Sequence, residues 1–209
     1  LPETDYSAED RKDRDIKTRL LEINKIAATY YYHQLKSEAG KSGLDYLVKR
    51  GLSDKTINSF GLGYAPQSTG ELYRMLKDKG YDDGILKESG LFTYEKGVRD
   101  KFWNRVIFPI MDINNKVIGF GGRVMGDAKP KYLNSPETKL FDKSRNLYGL
   151  NAARTARKNN LIICEGYMDV ISLHQAGFTQ AVASLGTALT PGHARLMKRY
   201  TDNVLITYD

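Results

Sequence analysis

The 209-residue sequence has a single cysteine, Cys164, and only three histidines, His33, His174 and His193. One cysteine excludes an intrachain disulfide framework. Histidines scattered without ligand spacing exclude a cysteine-rich zinc module within these residues. No apolar run approaches the roughly 20 residues that a bilayer-spanning helix needs, and no charged-then-apolar signal pattern opens the chain. There is no internal repeat and no low-complexity linker. The expected setting is a reducing cytoplasm with no membrane partner. What is present is a globular composition, 41% hydrophobic residues with a mean hydropathy of −0.50. That is enough for one large domain or two small ones with a hydrophobic core.

Charge is moderately basic and unevenly placed. The net charge is +7 and the isoelectric point about 9.3. Residues 1–98 carry 16 basic and 16 acidic side chains, residues 99–145 carry 10 and 5, and residues 146–209 carry 6 and 4. Most of the excess therefore falls on one stretch, which points to a polyanion groove rather than a uniformly basic surface.

The N-terminal part reads as helices punctuated by glycine. Ile16, Leu20, Ile23, Ala27 and Tyr30 recur at three- and four-residue steps and mark a long amphipathic helix. Tyr30-Tyr31-Tyr32 fits helix packing better than a base-stacking platform. Short helices are expected over 44–50, from the N-cap Ser53 through Phe60, over 71–78 and over 82–91. From Lys101 the pattern turns to β: residues 105–111 and 117–124 flank Asn114-Asn115 as a hairpin. A polar, basic loop is expected from Gly126 to Arg145. The last third alternates strand and helix: strands at 161–164, 180–184 and 204–208, helices at about 167–176 and from Thr190-Pro191 to about Tyr200. This order implies a parallel sheet with right-handed crossovers. The fold class is α/β, with a mixed part over 1–145 and a parallel-sheet part over 146–209.

In a parallel sheet, ligands collect beyond the carboxyl ends of the strands. Glu165 follows one strand end and Asp209 another, with Asp169 one helical turn after Glu165. Clustered carboxylates repel unless a cation neutralises them, and hard oxygen donors suit Mg²⁺ or Mn²⁺. Spacing alone equally allows Glu165 as a helix-start acid and Asp209 as a turn residue. In the basic stretch, Arg123, Lys131, Lys143 and their cationic neighbours are interleaved with Tyr132, Asn134 and Phe141. Cations that grip phosphates and aromatics that stack on bases favour a nucleic-acid contact over a solvated loop. Gly119-Phe120-Gly121-Gly122-Arg123-Val124 fails as a dinucleotide fingerprint, because Val124 takes the third glycine position and no helix follows. Its glycines are expected to admit another backbone or a nucleic-acid strand. Cys164 reads as a small buried residue, and Trp103 as core rather than a base platform.

Several longer motifs occur in order: Phe108-Pro109-Ile110, Gly119-Phe120-Gly121-Gly122-Arg123, Lys131-Tyr132-Leu133-Asn134-Ser135-Pro136-Glu137-Thr138, Leu147-Tyr148-Gly149-Leu150, Glu165-Gly166-Tyr167-Met168-Asp169-Val170 and Ala183-Ser184-Leu185-Gly186-Thr187. Together they closely resemble the RNA polymerase core of the bacterial DNA primase family, clearly from about Arg99 onward. The resemblance implies a Toprim fold in the last third and synthesis of short RNA primers by metal-assisted nucleotidyl transfer. It implies Glu165 at the metal site with Asp209, the first aspartate of an Asp-x-Asp motif, and Asp169 beside them. It also implies a groove for single-stranded template or nucleotides that includes Arg123, Lys131, Tyr132, Asn134 and Lys143. The implied partners are single-stranded DNA, nucleoside triphosphates and the RNA–DNA primer duplex. The family's zinc domain would lie upstream and its contact with the replicative helicase downstream. Because the sequence stops at Asp209, the second aspartate would fall outside it, and the expectation is an enzyme core cut within its own site. The rival readings are another Toprim enzyme, a topoisomerase or nuclease, and a non-catalytic single-stranded-DNA-binding module.

Overall fold

A computed structural model of the chain describes residues 8–68 and 70–208. The first part opens with helix α1 (Ala8–Leu35), followed by α2 (Lys41–Lys49), α3 (Asp54–Ser59), strand β1 (Gly63–Ala65), α4 (Glu71–Asp78) and α5 (Asp83–Glu88). Then come β2 (Phe92–Thr93), β3 (Arg99–Asp100), β4 (Arg105–Met111), β5 (Val117–Val124) and β6 (Tyr132–Asn134). The remainder is α6 (Leu150–Ala153), β7 (Leu161–Cys164), α7 (Tyr167–Gln175), β8 (Ala181–Ala183), α8 (Pro191–Met197) and β9 (Val204–Ile206).

Local chemistry sets several of these boundaries. The Ser53 side chain accepts from the Thr56 amide and starts α3, and Asp82 does the same for α5 through Ile85. Helix α4 begins at Gly70, which has no side chain to cap it. Asp100 on β3 supplies the missing acceptor, taking the Gly70 amide at 3.0 Å. Burial, only partly offset by the amides of Gly70, Tyr73 and Leu72, pushes the Asp100 carboxyl above its ordinary range. At the hairpin, Asn115 takes φ +61, a left-handed conformation that asparagine tolerates. Asp112 Oδ1 accepts from the amides of Asn114 and Lys116 and closes the turn.

Strands β1-β4-β5-β6 form one antiparallel sheet and β8-β7-β9 a parallel one. The parallel arrangement is the one the strand–helix alternation calls for. The basic loop is not all loop: Tyr132–Asn134 pairs with Gly121–Arg123 and becomes the edge strand β6. Helix α1 lies along one face of the antiparallel sheet, where Tyr31 is 1% exposed and packs edge-on against Phe102 and Phe120. The middle tyrosine is therefore core. The opposite face carries Phe108, whose ring stacks on Tyr167 of α7 with centroids 4.8 Å apart. One apolar cluster runs through both sheets, from Leu35 and Val106 to Val170 and Ala181. Cys164 is buried and its thiol is pushed up by burial.

The glycines of β5 have a use different from the expected one. Their missing side chains admit aromatic rings, not another backbone. A Cβ at Gly121 would overlap the Tyr167 ring, one at Gly119 would sit 3.2 Å from Phe141, and one at Gly122 would sit 2.8 Å from Phe102. Trp103 also departs from expectation: it is 41% exposed, while the adjacent Phe102 is 1% exposed. Among the described residues, no helix is long and apolar enough to cross a membrane.

Candidate functional site

Two groups of the expected site residues are joined through one tyrosine. Glu165 directly follows β7 and is exposed, and two residues later Tyr167 opens α7. The Tyr167 hydroxyl donates to Asn134 Oδ1 at 2.7 Å, and Asn134 Nδ2 donates to the Leu185 carbonyl at 2.9 Å. Both ends of the Asn134 amide are thus engaged in tying β6 to the parallel sheet. Asn134 acts in this structure as a clamp between the two expected sites.

The basic strand pair lies beside that clamp. Arg123 and Tyr132 are register partners on β5 and β6, so their side chains share the sheet face that Asn134 and Gly121 occupy. The Arg123 guanidinium sits 4.1 Å from the Tyr46 ring centroid, a cation–π contact that fixes its direction. Its Nη1 donates to the Val124 carbonyl, while its buried Nε has no hydrogen-bond partner among the described residues. The Tyr132 hydroxyl is pushed up by burial and then by neighbouring Tyr46, with the guanidiniums of Arg123 and Arg50 pulling the other way. Arg50 therefore belongs to the same group. Lys131 is exposed at the start of β6, and its carbonyl accepts from the Val124 amide. Buried Arg105 spends Nη1 on the carbonyls of Gly122, Pro130 and Lys131, which holds the backbone under Lys131 in place.

Lys143 is positioned from the other side. It sits in a short 3₁₀ turn, Lys143–Arg145, pressed against the start of α8. His193 is 0% exposed. Its Nδ1 accepts from the Thr190 amide, so Nε2 carries the proton and donates to the carbonyls of Lys143 at 2.7 Å and Asn146 at 3.1 Å. Thr190 Oγ1 donates to the Ser144 carbonyl at 2.8 Å. His193→Ala is expected to destabilise the chain by about 1–3 kcal/mol, because buried carbonyls and an amide lose their partners. It should also expose the turn to trypsin at Lys143 and Arg145. Denaturant unfolding and timed proteolysis check both, and an unchanged cleavage rate would remove His193 from this role.

Glu165 and Asp169 lie at the carboxyl end of β7, and Asp169 Oδ2 accepts from the Gly166 amide at 3.0 Å. Glu165 has no hydrogen-bond or ion-pair partner among the described residues. Asp209 lies outside the described residues. No group of three acids, histidines or cysteines that could hold a metal occurs among the described residues. The donors present are nonetheless hard carboxylate oxygens, one of them unneutralised, and this chemistry fits a divalent cation such as Mg²⁺.

Tyr46, Arg50, Arg105 and His193 were not singled out from the sequence. Tyr46 lies on α2 and Arg50 caps its C-terminal end, more than 70 residues before Arg123, and no periodicity links them to β5. Tyr167 did carry a signal, since it stands inside the motif that starts at Glu165.

Comparison with known proteins bears on the family and the fold. Residues 30–154 match the family described as DNA primase catalytic core, N-terminal domain, and residues 162–209 match the Toprim-like family. The chain is 50% identical over 200 residues to a DNA primase of Clostridium acetobutylicum, a match that covers 95% of this chain and 33% of that protein. It therefore spans about a third of the length of the curated relatives it matches. Among solved structures it is similar to a DnaG primase catalytic domain bound to ssDNA, with a TM-score of 0.89 and 41% identity over 94% of this chain and 62% of that one. It is also similar to the RNA polymerase domain of Mycobacterium tuberculosis primase in complex with a double-stranded DNA oligomer with a 6-nucleotide overhang, with a TM-score of 0.87 and 33% identity over 92% of this chain and 64% of that one. A helical and antiparallel part bearing the basic strand pair, clamped to a parallel sheet bearing the acids, is thus the arrangement of a chain that belongs to the DNA primase catalytic core family.

Proposed function

We propose that the chain forms part of an enzyme that makes short RNA primers on single-stranded DNA during chromosome replication. The observation that carries this reading is the Tyr167–Asn134–Leu185 clamp, which sets the Glu165 end of the parallel sheet beside Arg123 and Tyr132. The reading takes that junction to hold a groove for a polyanion together with the carboxylates Glu165 and Asp169. The relatives bound to single-stranded DNA and to an overhang duplex support a template strand as the polyanion.

In this reading Arg123, Lys131 and Lys143 hold phosphates of the template or of incoming nucleoside triphosphates, and Tyr132 offers a ring to a base. Glu165, Asp169 and Asp209 hold divalent cations, Mg²⁺ or Mn²⁺. When bound, such cations make a 3′-hydroxyl more acidic and neutralise charge on departing pyrophosphate. The hydroxyl oxygen loses its proton to solvent and bonds to the α-phosphorus, the bond to the pyrophosphate oxygen breaks, and the products are a lengthened primer, pyrophosphate and a proton. The chain's own contribution is alignment: Arg105 and His193 fix the backbone that carries Lys131 and Lys143, and Tyr167 fixes that backbone relative to Glu165. The division into residues 1–145 and 146–209 is supported by the two separate sheets. Contact with the primer duplex and the replicative helicase, a zinc domain upstream, and a cytoplasmic place at the replication fork complete the proposal.

Primer synthesis on a defined single-stranded template, by a chain of the relatives' full length with Mg²⁺ or Mn²⁺ and labelled nucleotides, tests the reading as a whole. The groove is tested on the present chain. Lys131→Ala should weaken binding to an oligonucleotide and reduce the slope of log K against log salt by about 1. An unchanged slope would place Lys131 outside the groove.

A further inference from the structure

Trp103 is the chain's sole tryptophan, and the groove described above makes no use of it. It is 41% exposed, yet it is held firmly. Its Nε1 donates to the Gln67 carbonyl at 2.5 Å. The next residue, Asn104, has φ +47, a conformation that non-glycine residues adopt only when their surroundings impose it. Four hydrogen bonds do so here. The Asn104 amide donates to the Pro66 carbonyl, its own carbonyl accepts from the Met125 amide, its Oδ1 accepts from the Tyr64 hydroxyl at 2.6 Å, and its Nδ2 donates to the Met125 carbonyl at 2.7 Å. This turn sends Phe102 into the core and leaves an indole face in water, forgoing the burial that a tryptophan ordinarily gains.

The position of that indole is informative. Arg105 pairs with Val124, and the Val124 amide donates to the Lys131 carbonyl. These three residues form a row across β4, β5 and the start of β6. Neighbouring strands lie about 4.8 Å apart, so Arg105 and Lys131 are separated by about 10 Å. Trp103 stands two residues before Arg105, at the same end of the sheet. Exposed Lys129 and Lys131 lie beyond β5 at the β6 edge, and Tyr132, also 41% exposed, belongs with Arg123 to the opposite face, so the track rounds that edge of the sheet. Rigid aromatic faces separated by cations over the span of a few nucleotides are what a single strand requires for stacking along a charged track.

We propose that the single-strand groove continues past Arg123 and Lys131 to Trp103, whose indole stacks on an unpaired base. The inference rests on the nucleic-acid reading of the groove and adds a base-contacting residue to it. Because Trp103 is the sole tryptophan, the chain's intrinsic tryptophan fluorescence reports this position alone.

The test titrates the 209-residue chain with a labelled deoxythymidine oligonucleotide and with an abasic strand of equal length, following label anisotropy and tryptophan emission together. The oligonucleotide should quench Trp103, and the abasic strand, which has phosphates without bases, should bind with little quenching. Trp103→Ala should weaken oligonucleotide binding by roughly 5- to 100-fold, the equivalent of one stacked base, and leave the salt slope unchanged because no charge is lost. Trp103→Phe, which keeps a ring on an unaltered backbone, should recover most of the affinity and guards against a folding defect in the alanine variant. Anisotropy showing normal binding with no quenching, or with equal quenching by both strands, overturns the inference and leaves the groove standing. Unchanged affinity in Trp103→Ala also overturns it and turns the exposed indole into a candidate contact for a protein. Absence of any oligonucleotide binding by the unaltered chain overturns the groove reading itself, and this extension falls with it.

Discussion

Glu165→Gln, placed in a chain of the relatives' full length, is expected to lower primer yield by about 100-fold or more in Mg²⁺ or Mn²⁺. The amide keeps the size and hydrogen-bonding reach of the side chain and removes only its charge. Glu165 is exposed at the carboxyl end of β7 and is neutralised by no described residue, so its folded position does not depend on an ion pair that the substitution would break. Stability should therefore change little. A cation held by carboxylates is worth several kcal/mol of transition-state charge stabilisation, and each 1.36 kcal/mol is a factor of ten in rate. Oligonucleotide affinity should stay near that of the unaltered chain, because Arg123 and Lys131 remain. Yield is measured with labelled ribonucleotides on a defined template, and affinity by anisotropy on the same preparations. Full primer yield in this variant would move the metal site away from β7. Loss of yield with retained affinity would separate a polymerase from a passive single-strand binder.

Gly121→Ala is expected to destabilise the chain by roughly 2–6 kcal/mol. The new methyl would overlap the Tyr167 ring, which cannot retreat because Phe108 stacks on it at 4.8 Å and Tyr148 abuts it edge-on at 4.7 Å. Overpacking of a filled site costs about 1–3 kcal/mol. Displacing Tyr167 also strands the part-buried Asn134 oxygen, for up to about 1–3 kcal/mol more. For a chain of this size the melting midpoint should fall by on the order of 10 °C. Gly166→Ala is the comparison, since a Cβ there meets its nearest neighbour, Asp169 Oδ2, at an ordinary 3.6 Å. Calorimetry or denaturant unfolding of both variants decides the matter. Equal midpoints would mean that the junction between the two sheets is looser than its geometry indicates.

Much of the architecture is legible in the residues themselves because it rests on local chemistry. Ser53, Asp82 and Thr190 announce helix starts by side chains that reach amides three residues ahead. Asn114-Asn115 announces a turn because asparagine tolerates the left-handed conformation that Asn115 adopts. Strand β6 is not legible in this way. Tyr132-Leu133-Asn134 sits in a polar, cationic stretch and is a strand only because Gly121–Arg123 pairs with it. The glycine run shows its purpose only in three dimensions, since the rings that fill it come from Phe102, Phe141 and Tyr167. Trp103 reads as core by type, and four hydrogen bonds to its neighbour Asn104 decide otherwise.

The candidate site divides along the same line. Glu165 and Asp169 are legible from strand-end position, and Arg123, Lys131 and Tyr132 from charge interleaved with aromatic rings. Residues that hold them in place are not, because each acts across a long separation: His193 on Lys143 and Arg105 on Lys131. Asn134 is the instructive case. Its motif marks it as important, while its two hydrogen bonds define its work as joinery between the sheets.

The Tyr167 ring carries a consequence for motion. It is 7% exposed, stacked against Phe108, tethered by its hydroxyl and seated in the space that Gly121 leaves open. Such a ring cannot turn over about its axis unless the two sheets part. Its flip rate therefore clocks the breathing of the junction, on the microsecond-to-millisecond scale of collective movements rather than the faster scale of exposed side chains. Separate resonances for the two edges of that ring would signify a joint that stays shut on that timescale.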